Sequence, residues 1–308
     1  MSVHEPMYNR ISPSSIIKLA APQSWLPASI IPVLFAVILS MGAGHFSVLM
    51  FYALLVSAVL MHSAANAIND HYDFIRRIDT LENTPENDDA VLVHGNYKPS
   101  TTRFIGISFL LLSLAIGMVI VCFSNFIPLV IGFIGAVTVV LYSVGPKPLS
   151  YMPLGEFTSG VVMGILLPIA VYAALTGEMN WSLIYLCLPF VLGISSIMLT
   201  NNTCDIERDL ASGRKTLPCF IGRSASRYVL RSFLVVWLIA LVFNSVMHFP
   251  LGLFVLPLGI VFGFGCIKRL ILSDFSPASR GYRLSDVFQT NVLINGSYLL
   301  CALVGLWR

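Results

Sequence analysis

The chain of 308 residues is too apolar for a soluble globular protein. Hydrophobic residues make up 56% of it and charged residues 11%, and the formal net charge is only +3, whereas soluble domains carry about 25% charged residues. This composition indicates a polytopic membrane protein, so a lipid bilayer is an expected partner and nucleic acid is not. The six cysteines form no C-x-x-C pair, which argues against a zinc site or a disulfide framework.

Nine apolar segments are long enough to cross a hydrocarbon core roughly 30 Å thick. In chain order they cover residues 25–44, 47–69, 103–123, 126–143, 155–176, 182–202, 226–246, 250–272 and 287–307. We therefore predict an all-α integral membrane protein with nine transmembrane helices, in which residues 1–308 form a single domain.

Basic residues lie almost entirely on one side of these segments. Seventeen of the eighteen Lys and Arg residues fall in the N-terminal tail or near the connections after the second, fourth, sixth and eighth segments, and only Arg308 falls on the other side. By the positive-inside rule the first side is cytoplasmic. The sequence thus predicts an integral protein of the cell (inner) membrane, with a cytoplasmic N-terminus and the C-terminus outside.

The first acidic motif, residues 66–79, lies at the predicted cytoplasmic end of the second segment. Residues three or four apart are neighbours on a helix. Four polar residues of the motif therefore share one helix face: Asn66, Asn69, Asp70 and Asp73. Asp79 follows shortly after the segment. Acids at a membrane edge are costly, which favours a functional role for these carboxylates over caps or solvated charges.

The connection from Asp70 to Arg103 is longer than a plain turn needs and contains seven acidic residues. A short apolar run at 91–95 predicts an ordered cytoplasmic cap loop. Four of the acids are expected to be solvated charges or caps: Glu82, Glu86, Asp88 and Asp89.

Proline and glycine interrupt the helix after the fourth segment, between Tyr142 and Gly155. Such a turn cannot face lipid, and it carries the aromatic side chains of Tyr142 and Tyr151 and the cation of Lys147. We expect these side chains to bind a substrate, with an interfacial aromatic belt as the alternative for the two tyrosines.

The second acidic motif, residues 201–217, ends the sixth segment in the same way as the first motif ends the second. If the stretch is helical, Asn201, Asp205 and Asp209 share one face. Asn202 adjoins them. Arg214 and Lys215 follow closely, either to bind an anion or as ordinary positive-inside charges.

Carboxylates and cations clustered at one membrane face suit a diphosphate that is held through Mg²⁺. Magnesium takes oxygen ligands, usually one or two carboxylates together with phosphate oxygens and water. The apolar interior of the bundle suits a long hydrocarbon attached to that diphosphate. The combination points to a polyprenyl diphosphate with its head at the cytoplasmic face and its tail among the helices.

The motifs resemble those of the UbiA superfamily of intramembrane aromatic prenyltransferases, and most closely the branch that prenylates 1,4-dihydroxy-2-naphthoate in menaquinone synthesis. The resemblance covers nearly the whole chain. It rests on three stretches: Asn69-Asp70-x-x-Asp73 with Asp79, Tyr142-Ser-x-Gly145-Pro-x-Pro148-Leu-x-Tyr151, and Asp205-x-x-x-Asp209-x-x-x-Gly213-x-Lys215-Thr216-Leu217.

The resemblance implies a UbiA-type bundle and Mg²⁺-dependent transfer of a polyprenyl group to an aromatic acceptor, giving demethylmenaquinone if the acceptor is dihydroxynaphthoate. The implied catalytic residues are Asp70, Asp73, Asp205, Asp209 and Lys215. The implied metal ligands are Asn69, Asp70, Asp73, Asp79, Asp205 and Asp209. The implied substrate-binding residues are Asn66, Asn69, Asn202, Tyr142, Lys147, Tyr151 and Arg214, with Lys147 steering the carboxylate of the acceptor.

Two alternatives remain open from the sequence. A superfamily member could use another aromatic acceptor or cyclise a prenyl chain. A cation-coupled secondary transporter could also carry paired acids, although it would place polar groups and helix breaks near mid-span, where this chain has few.

Overall fold

Helices make up most of the chain, and no strand occurs in residues 8–82, 84 and 90–306, the part that this computed structural model describes. Within that part, seven helices are long and apolar enough to cross a membrane. They are Pro22–Gly42, Val48–Ile75, Pro99–Cys122, Gly155–Thr176, Leu217–His248, Pro250–Leu272 and Pro277–Gly305. The prediction of an all-helical membrane protein is confirmed to that extent.

The two other predicted spans are shorter in the structure. The fourth is the helix Ile127–Ser143, and the sixth is divided into the helices Leu183–Leu186 and Leu188–Cys204. Pro189 stands in the first turn of Leu188–Cys204, where its missing N–H and fixed φ favour the start of a new helix. The count of nine transmembrane helices therefore stays a prediction.

The last helix begins earlier than the sequence predicted. Its hydrophobic run indicated a start near residue 287, whereas a short turn at Pro277–Ser279 leads directly into the helix Arg280–Gly305. The extra turns are polar and hydropathy alone does not detect them. They bring Arg280 and Leu284 to the wall of the main cavity.

Large apolar side chains cover the outside of the bundle. Leu49, Phe104 and Phe123 are examples, with 80%, 71% and 77% of their surface exposed. A helix satisfies its own backbone hydrogen bonds, so lipid can contact such a surface without leaving a backbone N–H or C=O group unpaired. This distribution is the one expected of helices in a bilayer.

Small residues bring the helices around the site into close contact. A Cβ atom on Gly164 would lie 2.7 Å from the backbone nitrogen of Val191, so only glycine fits where Gly155–Thr176 crosses Leu188–Cys204. The helix Val48–Ile75 packs in a similar way along Pro99–Cys122, where a Cβ on Gly106 would lie 2.8 Å from the Cγ1 atom of Ile68. These contacts fix the two helices that carry the acidic motifs.

The connection after the first acidic motif contains the predicted ordered segment. Val91–Gly95 forms a short helix in which Val91 and Leu92 are buried. Glu86, Asp88 and Asp89 lie outside the described residues, and Glu82 is exposed. The side of the membrane on which this helix lies stays a prediction.

Candidate active site

A cavity of about 720 Å³ opens between the helices and has walls of two kinds. One end is polar and is lined by residues of both acidic motifs and by three arginines: Asn66, Asn69, Asp70, Asp73, Asp79, Asn201, Arg208, Arg214 and Arg280. The rest is mainly apolar and includes Leu54, Ala58, Met61, Met118, Leu129, Phe133 and Ile197. Such a cavity can hold a ligand with a charged head and a hydrocarbon tail.

The first acidic motif reaches the cavity from the end of the helix Val48–Ile75. Its four predicted polar residues all line the cavity, as their shared helix face predicted. Asn69 donates a hydrogen bond to Asp73 Oδ2 at 3.2 Å. After the helix, Arg77 adopts a left-handed backbone conformation and the N–H of Ile78 donates to the Asp73 carbonyl at 2.9 Å. This turn reverses the chain and brings Asp79 back to the cavity wall.

The second acidic motif is not one continuous helix. The helix Leu188–Cys204 ends just before Asp205, and a separate short helix, Ile206–Ala211, begins just after it. Asp205 and Asp209 are nevertheless both buried, and the Asp209 N–H donates to the Asp205 carbonyl at 2.8 Å. Asn201 lines the cavity, whereas Asp205 and Asp209 lie behind its wall.

Arg214 joins the two motifs. Its Nη2 atom lies 2.6 and 2.7 Å from the two carboxylate oxygens of Asp73, and its Nη1 atom lies 3.7 Å from Asp209 Oδ1. The guanidinium also stacks over the Tyr151 ring, 5.2 Å from its centroid. One buried cation thus holds a carboxylate from each motif.

Two further arginines surround Asp205. Arg208 contacts Asp205 directly and lies 3.4 Å from Asp79 Oδ1, so it also links the two motifs. Arg280 donates to Asp205 Oδ2 at 3.0 Å and to Asn201 Oδ1 at 2.6 Å. We did not predict either arginine from the sequence. The spacing of Arg208, three residues after Asp205, could have indicated this contact. Arg280 belongs to no motif.

Burial and these cations act on the ionisation of the second motif. Burial raises the pKa of the Asp209 carboxyl to about 6, although Arg214 and the Thr216 hydroxyl, which donates to Asp209 Oδ2 at 3.0 Å, favour the charged form. Burial lowers the pKa of Arg214, but Asp73 and Asp209 outweigh it, so that pKa lies above its ordinary value. Arg214 is therefore a permanent charge at the polar end.

The predicted cations Lys147 and Lys215 lie elsewhere. Both side chains are exposed, and neither lines the cavity. Gly213 has a φ of +78° and reverses the chain just before Arg214. The N–H of Lys215 donates to the Tyr151 carbonyl at 3.1 Å. The structure thus brings Arg214 to the cavity, and the catalytic role of Lys215 stays a prediction.

The other predicted substrate-binding residues divide between the wall and the layer behind it. Tyr142 lines the cavity, whereas Tyr151 and Asn202 do not. Asn202 donates to the buried carboxylate of Glu156 at 2.9 Å, a residue to which we assigned no role from the sequence. Arg76 donates to the carbonyls of Ser143 and Gly145 at 2.8 and 2.9 Å, which fixes the turn beside Tyr142.

The donor atoms at the polar end fit a hard cation that shares its ligands with a substrate. Asn69, Asp70 and Asp73 bring carboxylate and carboxamide oxygens to one stretch of cavity wall. Among the described residues, no group of three or more His, Cys, Asp or Glu side chains is close enough to hold a metal by itself. Magnesium commonly binds through one or two carboxylates and completes its shell with phosphate oxygens and water, so this donor set suits it when a diphosphate is present.

The model of the UbiA prenyltransferase family matches residues 29–285. The chain belongs to this family. It is therefore a prenyltransferase, and the family resemblance drawn from the two acidic motifs is confirmed.

Known members of the UbiA family resemble the chain in sequence and in fold. The 1,4-dihydroxy-2-naphthoate octaprenyltransferase of Bacillus subtilis is 33% identical over 223 residues, which cover 71% of each chain. A UbiA homologue from Archaeoglobus fulgidus, solved bound to DMAPP and Mg²⁺, superimposes with a TM-score of 0.65 at 19% identity, over 94% of this chain and 99% of that one. The same homologue bound to GPP and Mg²⁺ gives a TM-score of 0.63 at 18% identity, over 92% and 99%.

Proposed function

We propose that this UbiA prenyltransferase transfers a polyprenyl group from a polyprenyl diphosphate to 1,4-dihydroxy-2-naphthoate, with Mg²⁺ as its cofactor. The transfer releases diphosphate and CO₂ and gives the reduced, dihydroxy form of demethylmenaquinone. The observation that carries the proposal is that one cavity combines a charged end with an apolar remainder. The acceptor is supported by the named activity of the Bacillus subtilis relative.

The diphosphate head lies at the polar end in this proposal. Arg208, Arg214 and Arg280 line that end, and guanidinium groups bind phosphate oxygens through paired, charge-assisted hydrogen bonds. They neutralise the charge that builds on the diphosphate as the allylic C–O bond breaks, which lowers the barrier because the groups are already in place. The proposal gives this role to cavity-lining arginines in addition to the predicted Lys215.

Magnesium is held by the first acidic motif in this proposal. Asn69, Asp70, Asp73 and Asp79 line the polar end and are its proposed ligands. When bound, the cation supplies Lewis-acid stabilisation of the leaving diphosphate. The predicted ligands Asp205 and Asp209 do not line the cavity. All four of the carboxylates of Asp73, Asp79, Asp205 and Asp209 also contact arginine, so a metal bound by any of them has to compete with an ion pair.

The apolar part of the cavity holds the hydrocarbon tail and excludes water from the reaction. An allylic cation formed at the polar end would otherwise be hydrolysed. Tyr142 lines the wall, where its ring can flank the aromatic acceptor or shield the cation. Tyr151 supports Arg214 from behind. Lys147 stays a predicted partner for the acceptor carboxylate.

The test is an assay on purified protein in lipid nanodiscs with radiolabelled prenyl diphosphate, Mg²⁺ and a panel of aromatic acceptors. We expect labelled product with 1,4-dihydroxy-2-naphthoate and release of its carboxylate as CO₂. Turnover only with another aromatic ring would contradict the proposed acceptor. Product formed without any acceptor would indicate a prenyl cyclase instead.

We also propose that the chain has nine transmembrane helices with a cytoplasmic N-terminus and an active site that opens to the cytoplasm. Lys98 and Glu178 are both exposed and lie on opposite sides in this arrangement. In intact cells, an impermeant thiol reagent should label Glu178→Cys and should reach Lys98→Cys only after permeabilisation. The reverse pattern would invert the proposed topology.

A further inference from the structure

A second polar cluster lies on the cavity wall, deeper than the acidic motifs. It consists of Ser24, Ser29 and His62, all of which line the cavity. His62 stands one helical turn before Asn66 on the helix Val48–Ile75, a rise of about 6 Å. Ser29 belongs to the π-helical turn Leu26–Ile30, a kind of widened turn that often occurs at functional sites. The function proposed above assigns no role to this cluster.

The hydrogen bonds of the cluster determine which atoms donate. The hydroxyl of Ser24 donates its single proton to the Ala21 carbonyl at 2.7 Å. Ser24 Oγ, which lies 3.1 Å from His62 Nε2, must therefore accept the N–H of the ring. In a neutral imidazole the other nitrogen is then an acceptor. His62 Nδ1 lies 2.9 Å from Ser29 Oγ, so the Ser29 hydroxyl donates to it.

This arrangement leaves the buried Ser29 hydroxyl only its oxygen lone pairs for a ligand. Asn66 also has only a hydrogen-bond acceptor left for a ligand. Its amide nitrogen donates to the Ala20 carbonyl at 3.1 Å and to Ser24 Oγ at 3.4 Å, which uses both N–H groups and leaves the Oδ1 oxygen. The wall that carries these two side chains therefore offers hydrogen-bond acceptors to the cavity.

A wall of acceptors needs a ligand that donates. An ionised prenyl diphosphate has no hydrogen-bond donor, and its oxygens would meet lone pairs here. A hydroxyl on an aromatic ring is a donor. His62 precedes Asp70 by eight residues on the helix Val48–Ile75, a rise of about 12 Å, so the diphosphate can lie beside Asp70 while a ring lies beside His62.

We propose that Ser29, oriented by His62, accepts a hydrogen bond from a ring hydroxyl of the aromatic acceptor, so that the cluster of Ser24, Ser29 and His62 is an acceptor-binding subsite. The inference rests on the proposed function, because it takes a hydroxylated aromatic compound as the second substrate. It also predicts a selectivity. The subsite favours the dihydroxy form over the corresponding quinone, because a carbonyl cannot donate to Ser29.

The decisive variant is Ser29→Ala, with Ser63→Ala as its matched control. Ser63 is also a buried serine, and it lies next to His62, but its hydroxyl donates to the Val59 carbonyl and it does not line the cavity. Ser29→Ala should raise the KM for 1,4-dihydroxy-2-naphthoate about tenfold, which is the loss of affinity expected when one hydrogen bond is removed. The KM for the prenyl diphosphate should not change, and Ser29→Thr, which keeps a hydroxyl, should restore most of the affinity.

Selectivity provides a second measurement, made anaerobically with the quinone of the same acceptor as a competitor. The unsubstituted protein should bind the dihydroxy form more tightly than the quinone, and Ser29→Ala should lose most of that preference. A KM for the acceptor that is unchanged in Ser29→Ala, or that rises equally in Ser63→Ala, would overturn the subsite.

Direct binding separates this inference from the proposed function. Quenching of tryptophan fluorescence by 1,4-dihydroxy-2-naphthoate, without prenyl diphosphate, measures acceptor affinity in the absence of turnover. If the unsubstituted protein binds the compound but prenylates no aromatic acceptor, the proposed function fails, and weaker binding by Ser29→Ala still supports the subsite. Equal binding by the two proteins overturns the subsite whatever the turnover.

Discussion

Replacing Arg214 should destabilise the protein far more than replacing its neighbour Lys215. The Arg214 side chain is only 10% exposed, as is that of its partner Asp73. Removing one member of a buried ion pair costs about 3–5 kcal/mol, because the remaining charge is left without compensation. Arg214→Gln should lower the free energy of unfolding by that amount. Lys215→Gln changes an exposed side chain and should stay within about 0.5 kcal/mol.

A double-mutant cycle separates the ion pair from other effects of the substitution. Asp73→Asn in the Arg214→Gln background removes both charges, so the double variant should be more stable than the sum of the single losses predicts. The expected coupling energy lies between about 0.5 and 3 kcal/mol. The double variant should not regain all of the lost stability, because Asp209, whose Oδ1 atom lies 3.7 Å from Arg214, also loses its cation.

The assay is SDS titration of each variant in mixed micelles, followed by tryptophan fluorescence, with prenyl transfer measured in parallel. The double variant should regain stability but not activity, because both residues line the polar end of the cavity. Additive losses of stability would show that Arg214 and Asp73 are not coupled. Full turnover by Arg214→Gln together with an inactive Lys215→Gln would contradict the role proposed for Arg214 and would support the predicted role of Lys215 alone.

Three further outcomes follow from the site and the packing. Excess chelator should abolish prenyl transfer and added Mg²⁺ should restore it, so undiminished turnover in chelator would exclude a metal requirement. Asp205→Asn and Asp209→Asn should lower kcat severely while the protein still accumulates in the membrane. Glu207→Gln, whose side chain is 60% exposed and pairs with Arg223, should stay within a few-fold of the unsubstituted enzyme. Equal losses in all three variants would contradict a special role of the two aspartates. Gly164→Ala should cost about 1–3 kcal/mol of unfolding free energy by forcing two helices apart, whereas Gly296→Ala, whose added methyl meets no atom within 4 Å, should cost little. Similar melting temperatures for these two variants would refute the packing argument.

The sequence by itself determined the fold class, the family and the position of both acidic motifs. Each of these depends on local properties. Hydropathy over a helix length identifies a span, and three- or four-residue spacing places Asn66, Asn69, Asp70 and Asp73 on one face, which the structure confirms. Helix ends are also set locally, but a hydropathy pattern does not detect a helical turn made of polar residues. The start of the last helix at Arg280 was missed for that reason.

Only the tertiary structure decided which side chains meet. Arg214 and Lys215 are adjacent and chemically alike, and the direction of the chain after Gly213 determines that one lines the cavity and the other is exposed. Arg280 contacts Asp205 across 75 residues of sequence, and His62 connects Ser24 to Ser29 from another helix. Residue spacing along the sequence cannot predict such pairs, because they depend on how helices pack against each other and not on the period of any single helix.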